Sequence, residues 1–138
     1  MDLQTLTADE LASNFSLLDD WEAKYSYVID LGKYLPPFPD ALKTEENLVR
    51  GCTSQVWMIP QESAPDRIKF LADSDAHIVR GLIAILSIVY NDHLKAEVRG
   101  FDIKAYFDSL GLSEHLSPNR RNGFFAMVGR IKTLAEEA

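Results

Sequence analysis

The stretch that decides the fold class lies at residues 48–59 and reads Leu48-Val49-Arg50-Gly51-Cys52-Thr53-Ser54-Gln55-Val56-Trp57-Met58-Ile59. Its two ends are rich in strand-forming residues, whereas its centre is small and polar. We therefore predict short strands on both sides of a loop that carries Cys52. Residues 60–66 then read as a hairpin connection, and Ile68, Phe70 and Ala72 alternate with polar residues as in a further antiparallel strand.

Outside this stretch, apolar residues recur at helical spacing. Thr7 and Glu10 have the spacing of a capping box, and Gly32 has the position of a C-terminal cap. Helices are predicted over about residues 8–18, 21–32 and 76–90, after the N-cap Asp102, and after Pro118. Gly81 should let the third helix approach the sheet closely. Helices, strands and helices in this order predict an α+β fold, with one domain over residues 1–138.

Charge and hydropathy argue against two classes of partner. The formal net charge is −7 with no block of Lys and Arg, so we expect no nucleic acid partner. The longest apolar stretch, residues 78–90, is shorter than the roughly 20 residues that cross a bilayer, so we expect no membrane span. The N-terminal residues lack the pattern of a signal peptide, which predicts a cytoplasmic, reducing location.

Cys52 is the single cysteine, so it acts as a free thiol or through a partner. Arg50 is close enough in sequence to stabilise a thiolate, and Gly51 removes bulk beside the sulfur. These residues fit a reactive thiol. They also fit a cysteine that only fills the core, and the residues alone leave both interpretations open.

Other candidate groups have weaker patterns. His77, His93 and His115 lack the paired spacing of a zinc site, so we expect no metal. A histidine could serve Cys52 as a base, although spacing does not place any ring beside it. Asp73 and Asp75 resemble paired carboxylates, but before an apolar helix they are better explained as a cap.

Arg120 and Arg121 follow Ser117-Pro118 in the first turn of the last predicted helix. The helix dipole disfavours positive side chains there. The two arginines therefore either contact a partner or are simply solvated at the surface.

The stretch from Arg50 to Trp57 is similar to the Gly-Cys-x-Ser-x-Val-Trp signature of the SufE family. The resemblance continues in family order over nearly the whole chain, through Leu18-Asp19-Asp20-Trp21-Glu22, Leu31-Gly32-Lys33, Asp73-Ser74-Asp75-Ala76, Ile78-Val79-Arg80-Gly81-Leu82 and Ser117-Pro118-Asn119-Arg120-Arg121-Asn122-Gly123. The family fold implied by the resemblance is a three-stranded antiparallel sheet with helices packed on it, like that of iron–sulfur scaffold proteins. A single cysteine is too few to hold a cluster as those scaffolds do.

The resemblance also implies a function. In the family, the motif cysteine accepts sulfur from the persulfide of a pyridoxal-phosphate cysteine desulfurase and passes it on for iron–sulfur cluster assembly. By resemblance Cys52 has that role and stimulates the desulfurase, with no metal or cofactor of its own. The expected partners are the desulfurase and a downstream iron–sulfur scaffold.

The resemblance also suggests site residues around Cys52. Those expected to bind the partner or stabilise the thiolate are Arg50, Gly51, Ser54, Asp75 and Arg120. Arg121 and Asn119 stand where the family more often has serine, so no role is carried over to Arg121. We predict that Arg120 lies near the Cys52 loop. We also predict that Cys52 rests against apolar side chains and swings outward only to meet the donor.

Two other functions stay open on the sequence. One is a cysteine-dependent enzyme that acts on a small molecule, and the other is a binding module whose cysteine is incidental. The sequence also leaves open which desulfurase is the partner, where the sulfur finally goes, and whether the protein forms a homodimer.

Overall fold

The computed structural model describes residues 2–136 and has helices packed around a small antiparallel sheet. The helices are α1 Ala8–Ser16, α2 Trp21–Gly32, α3 His77–Tyr90, α4 Lys95–Gly100, α5 Ile103–Ser109 and α6 Pro118–Glu136, and the strands are β1 Val56–Pro60 and β2 Phe70–Ser74. Short 3-10 turns occupy Leu3–Thr5, Asp40–Leu42 and Glu45–Asn47. The α+β class predicted from the sequence is confirmed. Residues 1, 137 and 138 of the predicted domain lie outside the described range.

The predicted capping box begins α1. The Thr7 hydroxyl accepts the Glu10 amide at 3.1 Å, and the Glu10 carboxylate accepts the Thr7 amide at 3.2 Å. These bonds satisfy two of the amides that a helix N-terminus leaves without helical partners. The helix ends at Ser16, before the predicted end at residue 18.

Helices α2 and α3 pack closely through two glycines. A Cβ on Gly81 would overlap the backbone carbonyl of Val28, and one on Gly32 would lie 2.8 Å from the Gly81 nitrogen. The close approach at Gly81 is therefore to α2, not to the sheet as predicted. Gly32 is the last residue of α2, and the capping position falls to Lys33.

The described sheet has two strands, so the prediction of three strands was wrong. β1 and β2 pair antiparallel from Val56↔Ser74 to Pro60↔Phe70. The expected strand before Cys52 is reduced to one bridge, Leu48↔Trp57, and a bond from the Val49 amide to the Val56 carbonyl at 2.8 Å. The segment is too short for a strand, because the Glu45–Asn47 turn precedes it and the chain turns again at Gly51.

Helix α3 crosses the core and is buried over most of its length. The predicted cap from Asp73-Ser74-Asp75 was wrong, because Ala76 is the N-cap residue and no side chain caps it. Ser74 belongs to β2, and the Asp75 carboxylate accepts the Gln55 amide at 3.1 Å instead. Within residues 2–136 no helix is both long and apolar enough to cross a membrane.

The last three helices close the core. The short α4 was not predicted, whereas the Asp102 cap of α5 is confirmed by a bond from the Ala105 amide at 3.0 Å. Phe107 of α5 stacks on Phe124 of α6 with ring centroids 4.1 Å apart. This packing fixes the face of α6 that lies against the Cys52 loop.

Candidate functional site

Cys52 lies in the loop between the Leu48 bridge and β1, next to a glycine in the left-handed region. Gly51 has φ +93°, which side chains rarely adopt, and a Cβ there would lie 3.3 Å from Ala126 of α6. Both facts explain a glycine at this position. The resulting turn directs the Cys52 side chain toward α6, where its Sγ lies 3.6 Å from the Gly123 carbonyl oxygen.

The Cys52 sulfur is partly buried in a small apolar cavity between α3 and α6. Its apolar lining comes from Val79, Leu82, Phe124 and Met127, and its volume is about 10 Å³. A volume of that size holds about one water-sized particle. The predicted resting position of Cys52 against apolar side chains is confirmed.

Burial raises the pKa of the Cys52 thiol above its usual range. A low dielectric disfavours the charged thiolate, which is the nucleophilic form. The Arg50 guanidinium lies 3.7 Å from Glu45, and both side chains are largely exposed. The resting site therefore favours an inert, protonated thiol.

Side-chain hydrogen bonds tie the Cys52 loop to α6 and to the segment between β2 and α3. The Arg120 guanidinium donates to the Ser54 hydroxyl at 2.6 Å, which links the loop to α6. The Asp75 carboxylate holds the Gln55 amide, and the Asp75 amide donates to the Gln55 carbonyl at 3.3 Å. These contacts hold both the centre and the end of the loop.

The structure brings together most of the site residues that the family resemblance suggested around Cys52. The predicted proximity of Arg120 to the Cys52 loop is confirmed by its bond to Ser54, and Asp75 lies at the end of the loop. Arg50 points to Glu45, and its role stays a prediction.

Histidines and metal ligands contribute little to this site. His115 stacks on Trp21 at 4.9 Å, and the His93 ring contacts the Asn91 carbonyl. Among the described residues, the cavity lining at Cys52 includes no histidine. The same part of the chain has no cluster of three or more His, Cys, Asp or Glu side chains suited to a metal ion.

Sequence reasoning missed the apolar walls of the cavity and the contact made by Gly123. Val79 and Leu82 belong to the buried stripe of α3, and nothing in their spacing separates them from other core residues. The spacing of residues along α6 could have predicted two of the lining residues. Gly123 and Met127 follow Arg120 by three and seven residues and so share its helix face.

Comparisons with known proteins decide the family. The family profile described as "SufE: Fe-S metabolism associated domain" matches residues 9–135. The chain belongs to the SufE family. Membership gives this SufE-family protein a sulfur-related role in iron–sulfur metabolism.

A relative and a solved structure agree with this family. An uncharacterized SufE-like protein of Rhizobium meliloti is 43% identical over 131 residues, which cover 93% of this chain and 94% of that protein. The solution structure of a hypothetical protein from Thermus thermophilus has a TM-score of 0.74 at 15% identity, and covers 93% of this chain and 92% of that one. At this identity the structural likeness supports the fold alone.

Proposed function

We propose that this SufE-family protein takes persulfide sulfur from a pyridoxal-phosphate cysteine desulfurase onto Cys52, stimulates that enzyme, and passes the sulfur on for iron–sulfur cluster assembly. It would act in the cytoplasm as one sulfur-acceptor domain over residues 1–138, with no cofactor of its own. The observation that carries the proposal is the position of the single cysteine. Its sulfur lies on a loop, in an apolar cavity with room for about one further small particle.

The proposed step is a thiol exchange. The Cys52 thiolate attacks the outer sulfur of the donor persulfide, and a new S–S bond forms at Cys52. The S–S bond of the donor breaks, and its electron pair leaves on the donor sulfur as a thiolate. The outer sulfur and its proton are now on Cys52, so atoms and charge balance and no oxidant is needed.

The resting geometry requires the loop to open before this step. Burial raises the pKa of the Cys52 thiol and so lowers its thiolate fraction below that of a solvated cysteine, and its sulfur points toward α6. Docking of the donor must therefore break the Ser54–Arg120 bond and move Cys52 outward. Once solvated, the thiol regains an ordinary pKa and a larger thiolate fraction.

Arg120 has a role on both sides of this movement. In the resting state it fastens the loop through Ser54. After release, its guanidinium is free to hold a thiolate, a persulfide anion or an acidic donor group, because a permanent charge with several donors suits each of them. Arg50 is exposed at the loop and would meet the partner surface.

The outer side of the loop offers the approach for a partner. An open depression of about 250 Å³ is lined by the loop residues 48–55. A donor segment that enters this depression would contact the backbone at Gly51 and reach Cys52 as the loop turns outward. Asp75 would then control how far the loop moves, since it holds the Gln55 amide.

Intact mass measurement tests the proposal. After incubation with a desulfurase and cysteine, the protein should gain the mass of one sulfur atom and lose it under a thiol reductant. Cys52→Ser should fold normally and gain no sulfur, because serine is nearly isosteric. A mutant that still accepts sulfur or still stimulates the desulfurase would overturn the mechanism.

The same experiment separates the other functions that the sequence left open. A cysteine-dependent enzyme would turn over a small molecule without any partner protein. A binding module would activate its partner equally well after Cys52→Ala. Neither result is expected.

A further inference from the structure

Gly123 lies directly against the sulfur of Cys52. A Cβ at this position would be 3.4 Å from the Cys52 Sγ and 3.8 Å from the Cys52 Cα and Cβ. The residue is buried inside α6 and belongs to the lining of the cavity at Cys52. Its carbonyl oxygen accepts a hydrogen bond from the Cys52 thiol at 3.6 Å.

The backbone gives no reason for a glycine here. Among the described residues, the glycines with positive φ are Gly51 and Gly111, so Gly123 has a conformation that alanine also adopts. Glycine inside a helix is less stable than alanine. The absence of a side chain at Gly123 is therefore best explained by the space beside the Cys52 sulfur.

We propose that Gly123 keeps open the space that the outer sulfur of a Cys52 persulfide occupies. The second sulfur lies about 2 Å from Sγ. While Sγ stays in its resting position beside Gly123, the cavity of about 10 Å³ that Gly123 helps to line is the apolar space within that reach. An alanine methyl at this position would still fit beside the thiol, because 3.4 Å is the shortest ordinary van der Waals distance. It would, however, occupy the space that a second sulfur needs. This inference rests on the proposed function, since only a sulfur carrier needs that room.

The test compares two alanine variants in one helix. Gly123→Ala fills the space beside Cys52, and Gly129→Ala is the matched control, because a Cβ there meets nothing within 4 Å. Both changes place alanine inside α6, where it favours the helix. Far-UV circular dichroism and thermal unfolding check that both variants fold.

The persulfide is made without a desulfurase. A mixed disulfide of Cys52 with thionitrobenzoate is treated with hydrosulfide, which forms the Cys52 persulfide and releases the aromatic thiolate. The rate at which iodoacetamide alkylates this persulfide is then measured by intact mass, and the alkylation rate of the plain Cys52 thiol is measured in parallel.

We expect the persulfide of Gly123→Ala to be alkylated about tenfold faster than that of the wild type, since an overpacked site expels the outer sulfur. The thiol form should change by less than about twofold. Gly129→Ala should match the wild type in both forms. The wild-type persulfide should also react more slowly than the same group in urea-unfolded protein.

Three results would overturn the inference. One is an unchanged persulfide rate in Gly123→Ala, and another is an equal rise in the thiol and persulfide rates, because the methyl would then displace Cys52 as a whole. The third, which does not depend on the variant, is a wild-type persulfide as reactive as in urea. None of these results concerns the desulfurase, so the proposed function would be judged separately by sulfur transfer.

Discussion

Replacing Ser54 with alanine should expose Cys52. The change removes the acceptor of the Arg120 guanidinium, whose 2.6 Å bond fastens the loop to α6. Hydrogen bonds to charged groups stabilise by about 1.5–3 kcal/mol. Because Ser54 and Arg120 are only partly buried, solvent screening reduces this to about 1 kcal/mol. A loss of that size raises the population of the open loop about fivefold.

Alkylation of the thiol measures this population. With excess iodoacetamide and a loop that reopens quickly, the rate of Cys52 alkylation is proportional to the open fraction. Ser54→Ala should therefore react about fivefold faster than the wild type, a factor that corresponds to about 1 kcal/mol. Thr53→Ala is the matched control, since Thr53 is exposed in the same loop. A wild-type rate in Ser54→Ala would refute the view that this bond holds the loop closed.

Three further predictions concern charge, pH and packing. Arg120→Ala should lower persulfide transfer or partner affinity by about 1–3 kcal/mol with little loss of fold, and wild-type transfer kinetics together with wild-type affinity would leave Arg120 without a role. Burial raises the pKa of the Cys52 thiol in the folded protein. The stability that the buried, protonated thiol contributes is therefore complete below the ordinary thiol pKa and is lost as pH rises through the pKa of the folded protein. Profiles of alkylation rate against pH should accordingly show a higher midpoint in the folded than in the urea-unfolded protein. Gly81→Ala should destabilise the protein by about 3 kcal/mol in urea unfolding, because its Cβ would overlap Val28, whereas Gly100→Ala, with open space, should be nearly neutral.

Local sequence signals predicted the helices well where one side chain decides the boundary. The Thr7–Glu10 capping box and the Asp102 cap act over three residues, and both formed as expected. Asp75 had the same kind of signal before α3 but formed its bond with Gln55, which lies 20 positions away. A contact between distant segments competes with a local cap, and sequence spacing alone does not reveal it.

A strand before Cys52 and the cavity lining also depend on more than the local sequence. Strand-forming residues at Leu48 and Val49 predicted a strand, but a strand also needs length, and the neighbouring turns leave room for one bridge. The proximity of Arg120 to Cys52 followed from the family motif. Met127 and Gly123 line the cavity because α6 packs at a particular depth, and this depth depends on the whole core.

A single-turnover transfer experiment tests the central claim most directly. A desulfurase is loaded with one persulfide sulfur, freed of cysteine and mixed with this protein, and both proteins are then alkylated and mapped by peptide mass. We predict that the sulfur leaves the desulfurase and appears on the peptide that contains Cys52, and that the Cys52→Ser variant leaves it on the desulfurase. A sulfur that stays on the desulfurase in the presence of the wild-type protein would contradict the proposed transfer.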